Sequence, residues 1–142
     1  MQKLHVYLGD ESKSLRKTMR MYGYVKELPD GGKMRFVGRA MPLTLHRATL
    51  MALYMAVHKL EDNYEIHVYT TDSYVISQIE NGNLQKWEAN GFRGSKGEVR
   101  DADLWKELGR KIRYQKIVGH IGPHVYEKRM SDWFRETGTK EE

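Results

Sequence analysis

The chain has 142 residues, of which 39% are hydrophobic and 30% charged, which is enough for one globular domain with a core and excludes a disordered polymer. It has no cysteine, so disulfides, thiolate nucleophiles and cysteine-ligated zinc are excluded. A net charge of +5 and a pI near 9.3 favour a polyanionic partner such as nucleic acid. No apolar run reaches membrane-spanning length, and the opening MQKLHVYLGDES lacks the apolar core of a signal peptide. A soluble, cytoplasmic protein with no membrane partner is expected.

Along the chain, KLHVYLG alternates Leu4, Val6 and Leu8 against His5 and Tyr7, the pattern of a half-buried strand. MRMYGYVKEL and KMRFVGRA are two further strands, joined by PDGG, where Asp30-Gly31 signals a hairpin because glycine accepts the positive φ of such turns. In TLHRATLMALYMAVHKL, Leu45, Ala48, Ala52, Ala56 and Leu60 recur at helical spacing, and Thr44 is a candidate cap. YEIHVYTT reads as a strand, DSYVISQI as a helix and NGN as a break. Residues 84–100 are polar, glycine-rich and dotted with aromatics, an excursion from the main body. DADLWKELGRKI is a helix capped by Asp101 or Asp103, YQKIVGH a last strand, and GPHVYEKRMSDWFRET a closing helix. The order βββ-α-β-α-α-β-α predicts one α/β domain over residues 1–137, with a frayed tail at 138–142.

Asp72 stands where the apolar run IHVY gives way to the helix SYVISQI. On local grounds it is either the cap of that helix or one ligand of a metal site.

Several strings together resemble type I ribonuclease H over roughly residues 3–136. They are TTDSYVISQI, the block KWEANGF…GEVRDADLW between Trp87 and Trp105, and IVGHIG ahead of a final helix. The resemblance implies an RNase H-like fold, a five-stranded mixed sheet flanked by helices. It implies cleavage of the RNA strand of RNA/DNA hybrids, with two Mg²⁺ ions (or Mn²⁺) held by four carboxylates.

On that pattern Asp72 matches the third carboxylate. For the first, an unbulged strand puts Gly9 at the expected position; Asp10 is one residue late and needs a bulge, and otherwise Asp10 or Glu11 is a turn residue. The second falls on Thr49 in RATLMA, an ordinary inward-facing helix residue. The fourth falls on Ser131 when Met130, Trp133 and Phe134 face inward; Asp132 is one residue late, about 100° around the helix. His120 matches the loop histidine that assists proton transfer or product release, and His124 matches nothing in the pattern. The catalytic and metal set is therefore Asp72, Asp10 and Asp132, with His120. With Gly9, Thr49 and Ser131 at the carboxylate positions, the expectation is a degenerate site, inactive or weak.

The resemblance also implies a DNA-strand grip by Trp87, Phe92, Lys86, Arg93, Lys96 and Arg100, and a phosphate contact by Thr44. Glu88 is expected to weaken that grip. KSLRKTMR stands in for a glycine-rich loop and brings Lys13, Arg16, Lys17 and Arg20, either as binding charges or as a solvated face. Three functions follow from these residues. The first is a non-catalytic binder of RNA/DNA hybrid or another duplex. The second is a working hybrid ribonuclease with a shifted carboxylate cluster, and the third a protein-interaction or inhibitor domain on the same scaffold.

Overall fold

The computed structural model describes residues 1–141, with side chains described as far as Thr137. The frayed tail expected at 138–142 lies outside the fully described residues. Three antiparallel strands open the fold: β1 (Gln2–Asp10), β2 (Thr18–Glu27) and β3 (Lys33–Leu43). The β2–β3 turn closes through Gly31, at φ +91°, whose N–H donates to the Leu28 carbonyl. Helix α1 (Leu45–Val57) then crosses back to β4 (Tyr64–Thr70), which lies parallel to β1. After α2 (Ser73–Glu80) come α3 (Asn83–Ala89), a two-rung hairpin of β5 (Arg93–Gly94) and β6 (Gly97–Glu98), and α4 (Ala102–Ile112). Strand β7 (Lys116–Ile121) pairs parallel with β4, and α5 (Glu127–Glu141) ends the chain. The main sheet has five strands in the order β3-β2-β1-β4-β7, the mixed sheet expected.

Each face of the sheet has its own core. On one face, Leu4, Val6, Leu8, Ile66 and Val68 meet α1 to α4 through Ala48, Ala52, Ala56, Ile76, Leu84 and Trp105. The alanine row of α1 has no bulk to hold the helix off, which is why the spacing is so readable. On the other face, Tyr7, Met21 and Val25 meet Tyr126, Met130 and Phe134 at and inside α5. Strand β1 is therefore covered on both faces at Tyr7, where half-burial was expected.

The excursion at 84–100 is more ordered than its composition suggests. Leu84 is buried and anchors α3, and Trp87 meets Trp105 edge-on at 5.4 Å. Asp101 holds the N-cap position of α4 but its side chain makes no cap bond. Asp101 sits at φ +60°, and both aspartates bind Arg47 of α1 instead, at 2.8–3.0 Å. Among the described residues, no helix is long and apolar enough to cross a membrane.

Candidate functional site

Strand β1 pairs with β2 without interruption through Leu8–Tyr24, Gly9–Gly23 and Asp10–Tyr22. Strict alternation then keeps Asp10 on the Leu8 face, towards α1. Gly9 turns to the other face, where an added Cβ would come within 2.7 Å of Met130 Cε. No bulge at Gly9 is needed: Asp10, rather than Gly9, lies on the face of Leu8 and within electrostatic range of Asp72, which follows the parallel neighbour β4.

Asp72 caps α2: its Oδ1 accepts the Val75 N–H at 3.4 Å. Its Oδ2 lies 2.8 Å from Nδ1 of His46, in the first turn of α1, and the His46 ring packs on Tyr74 at 4.4 Å. Asp72 is therefore the cap that the sequence offered, and its second carboxylate oxygen faces another partner, His46. His46 was missed in the sequence. The available signal was its place three residues before Thr49, on the same side of the helix.

The Asp10 carboxylate is 8% exposed. Burial pushes its pKa up to about 6; Lys13, Arg20 and the Ser12 N–H pull it down without offsetting burial, and Asp72 adds to the rise. Arg20 is fully buried, and its guanidinium lies 3.5 Å from Asp10 Oδ1. Its short bonds go elsewhere, to the carbonyls of Ser12, Ser14 and Arg16 at 2.6–2.8 Å. Arg20 is therefore neither a binding charge nor part of a solvated face; it clamps the loop that replaces the expected glycine-rich connection.

Lys13 in that loop reaches Thr71 Oγ1 at 3.2 Å and Glu127 Oε2 at 3.8 Å. Glu127 opens α5 and brings a third carboxylate to this corner, a residue that no local pattern in the sequence singled out. The unmatched His124 serves the fold. Its Nε2 donates to the Leu8 carbonyl at 2.7 Å and its Nδ1 accepts the Tyr126 N–H at 3.2 Å, tying the start of α5 to β1.

The remaining expected site residues have other partners or surroundings. Thr49 is buried, and its hydroxyl donates to the Leu45 carbonyl at 3.0 Å, as an ordinary inward-facing residue. Ser131 is exposed and lines a shallow cleft with Glu11, Phe134 and Arg135. Asp132 is 43% exposed and pairs with Arg135 at 3.5 Å. His120 lies inside β7 rather than in a loop, stacked on Tyr69 at 4.4 Å with Nε2 2.8 Å from His67 Nδ1. Tyr69 packs with the α5-side core, so His120 is on the opposite face from Asp10.

A two-ion centre needs several carboxylate oxygens free to converge. Here Asp10 faces Arg20, Asp72 faces His46, Glu127 faces Lys13, and the Thr49 hydroxyl is spent within its helix. Among the described residues, no three His, Asp or Glu side chains are grouped as a metal cage. The donor set does not fit two Mg²⁺ ions.

The protrusion is arranged differently. Lys86, Arg93, Lys96 and Arg100 are exposed and make no ion pair among the described residues. Phe92, expected to touch nucleic acid, is 5% exposed; it fills the core under Lys106, so packing and not recognition explains it. Trp87 is partly buried against Trp105. Glu88 binds Arg113 at 3.2 Å, which offsets the repulsion expected of it. Thr44 caps α1, its hydroxyl oxygen accepting the Arg47 N–H at 3.2 Å.

Known proteins resemble this chain in sequence and in fold. The RNase H family pattern matches residues 2–139. A ribonuclease H of Syntrophomonas wolfei is 35% identical over 98 residues, which cover 64% of this chain and 67% of that protein. One of Anaplasma marginale is 33% identical over 113 residues, covering 75% and 73%. Among solved structures, LC9-RNase H1, a type 1 RNase H with the type 2 active-site motif, superposes with a TM-score of 0.64 at 13% identity, over 96% of this chain and 70% of that one. The foamy viral protease-reverse transcriptase in complex with RNA/DNA hybrid gives 0.67 at 16% identity, over 93% of this chain but only 18% of that longer one. Strand order, the aspartates closing β1 and following β4, and a sequence match over nearly the full length agree: this chain belongs to the RNase H family.

Proposed function

We propose that the protein binds nucleic-acid duplexes, RNA/DNA hybrid first among them, and that its carboxylate corner supports metal-dependent cleavage weakly or not at all. One contrast carries the reading. Each corner carboxylate already faces a basic group of the chain, whereas the cations of the protrusion are left exposed. Exposed Lys and Arg on a short hairpin and helix suit phosphate contacts, which position a duplex without reading its sequence. The Thr44 hydroxyl proton at the start of α1 adds a donor on the same side of the sheet as Asp72. Family membership and the RNA/DNA hybrid bound to the foamy viral relative support the choice of duplex.

The test is anisotropy of a labelled RNA/DNA hybrid across a salt series. Binding whose log affinity falls linearly with log salt is the expected result. No binding at low salt would overturn the proposal.

A second reading, a working hybrid ribonuclease with Mg²⁺ or Mn²⁺, has one observation in its favour: Asp10 and Asp72 are near enough for the charge of Asp72 to raise the pKa of Asp10. Metal-dependent cleavage that disappears in Asp72→Ala would establish it.

A further inference from the structure

We infer that the α5 face of the sheet carries a separate nucleic-acid site, which takes single-stranded RNA or DNA on Lys33, Arg35 and Arg129 around Tyr126 and Trp133. It uses no residue of the protrusion, so it does not rest on the duplex reading above.

Position is the first ground. Arg35 of β3 lies opposite Val25 of β2, and Val25 belongs to the core beneath α5. Strand alternation puts Lys33 on that face too. On α5, Arg129 and Trp133 are four residues apart and share one side of the helix. Between strand and helix runs a groove of about 220 Å³, lined by Val25, Tyr126 and Trp133 together with the three cations. The anchors of the protrusion, Leu84 and Phe92, belong to the core on the opposite face of the sheet.

Charge is the second. The Arg35 guanidinium lies 4.4 Å from the centre of the Trp133 ring, and Arg129 and Lys33 each lie 5.8 Å from that of Tyr126. Glu27 supplies a carboxylate here, 3.8 Å from Lys33, and accepts the Tyr126 hydroxyl proton at 2.6 Å. Asp132, next to Trp133 in the chain, goes to Arg135 instead. Arg35 and Arg129 have no carboxylate partner among the described residues. The groove therefore keeps an excess of positive charge. Lying against rings holds the two arginines near one geometry without spending their N–H donors.

Ligand chemistry follows from these two. Guanidinium N–H groups suit phosphate oxygens, and arginine and aromatic planes suit the faces of bases. A duplex keeps its base faces stacked inside and would meet the cations alone. A single strand presents bases and phosphates together, and a groove of about 220 Å³ has room for a flat ring but not for a duplex. An acidic peptide would satisfy the guanidinium groups and leave the rings unused.

The experiment uses labelled oligothymidylate, an unpaired strand, followed by anisotropy at low salt and by quenching of tryptophan fluorescence. It compares the wild type with three variants: Arg35→Ala with Arg129→Ala, Trp133→Phe, and the joint replacement of Lys86, Arg93 and Lys96 by Ala. Arg35 and Arg129 are exposed, so their removal leaves the core intact. The double variant is expected to lose about 10-fold or more in affinity for the single strand. Quenching is expected in the wild type and largely absent in Trp133→Phe. The protrusion variant is expected to bind the single strand within about 2-fold of the wild type. No binding at low salt, full affinity in the double variant, or an equal loss in the protrusion variant would overturn the proposal. So would displacement of the strand by polyglutamate at equal charge concentration, which would mark an acidic-peptide site.

Discussion

The corner at the ends of β1 and β4 and the protrusion over residues 83–100 use charge in opposite ways. At the corner each carboxylate is met by a basic group of the chain: Arg20 is fully buried beside Asp10, His46 lies on Asp72, and the part-exposed Lys13 on Glu127. At the protrusion only Glu88 is paired, through Arg113, among the described residues, and the cations face solvent. Charges that compensate one another hold a fold together, while uncompensated charges remain available to a partner. The comparison is the ground for the proposal that binding lies in the second region and that the first is a poor cage for metal ions.

The comparison breaks first at Arg20. Arg20→Ala removes the clamp on loop 11–17 and leaves Asp10 buried without its neighbour. Loss of one partner of a buried pair costs about 3–5 kcal/mol, to be read from the urea midpoint. A loss below about 1 kcal/mol would mean that the corner is not held by its internal charges.

Asp10 gives the next largest effect. Its folded pKa of about 6 lies above the unfolded value, so the folded state holds the proton more tightly. That contribution is fully present below the unfolded pKa and is lost as pH rises through about 6. By linkage it amounts to about 3 kcal/mol across the window, at about 1.4 kcal/mol per pH unit. In metal-free buffer, Asp10→Asn should flatten stability against pH between about 4 and 7. An unchanged pH profile would show that Asp10 titrates at its ordinary value.

The same residue shows what could and could not be read from the sequence. Strand order, the alanine row of α1 and the hairpin at Gly31 were legible because period and turn chemistry are local properties. The family resemblance likewise rested on contiguous strings. Whether Asp10 or Gly9 stands beside Asp72 was not legible, because it depends on pairing between β1, β2 and β4, residues far apart in the chain. Partner choice was hidden for the same reason. Arg20 looked like one more basic residue in KSLRKTMR, and its burial follows from the carbonyls that the loop turns inward. Phe92 looked like a recognition aromatic, yet a ring's surroundings cannot be seen in a glycine-rich string.

Two smaller effects sharpen the contrast. Replacing Lys86, Arg93 and Lys96 together by Ala should leave the unfolding midpoint nearly unchanged. It should lower hybrid affinity by roughly 10-fold or more and reduce the salt slope by up to about 0.9 per lost phosphate contact. Unaltered hybrid affinity would move the binding face elsewhere. Last, Arg47→Ala cuts the tie from α1 to Asp101 and Asp103 at the start of α4. These groups are partly exposed, and a loss of about 1 kcal/mol is expected by thermal unfolding. A loss several times larger would make the α1–α4 tie a principal support of the fold.

The most direct test of the central claim is a single incubation of end-labelled RNA/DNA hybrid with the protein in Mg²⁺, and again in Mn²⁺. Each sample is split between a native gel and a denaturing gel, beside an identically purified Asp72→Ala protein. The account predicts hybrid that is shifted on the native gel and full-length on the denaturing one. RNA cut by the wild type and left intact by Asp72→Ala would contradict it, and would mean that Asp10 and Asp72 assemble a working metal site despite Arg20, His46 and Lys13.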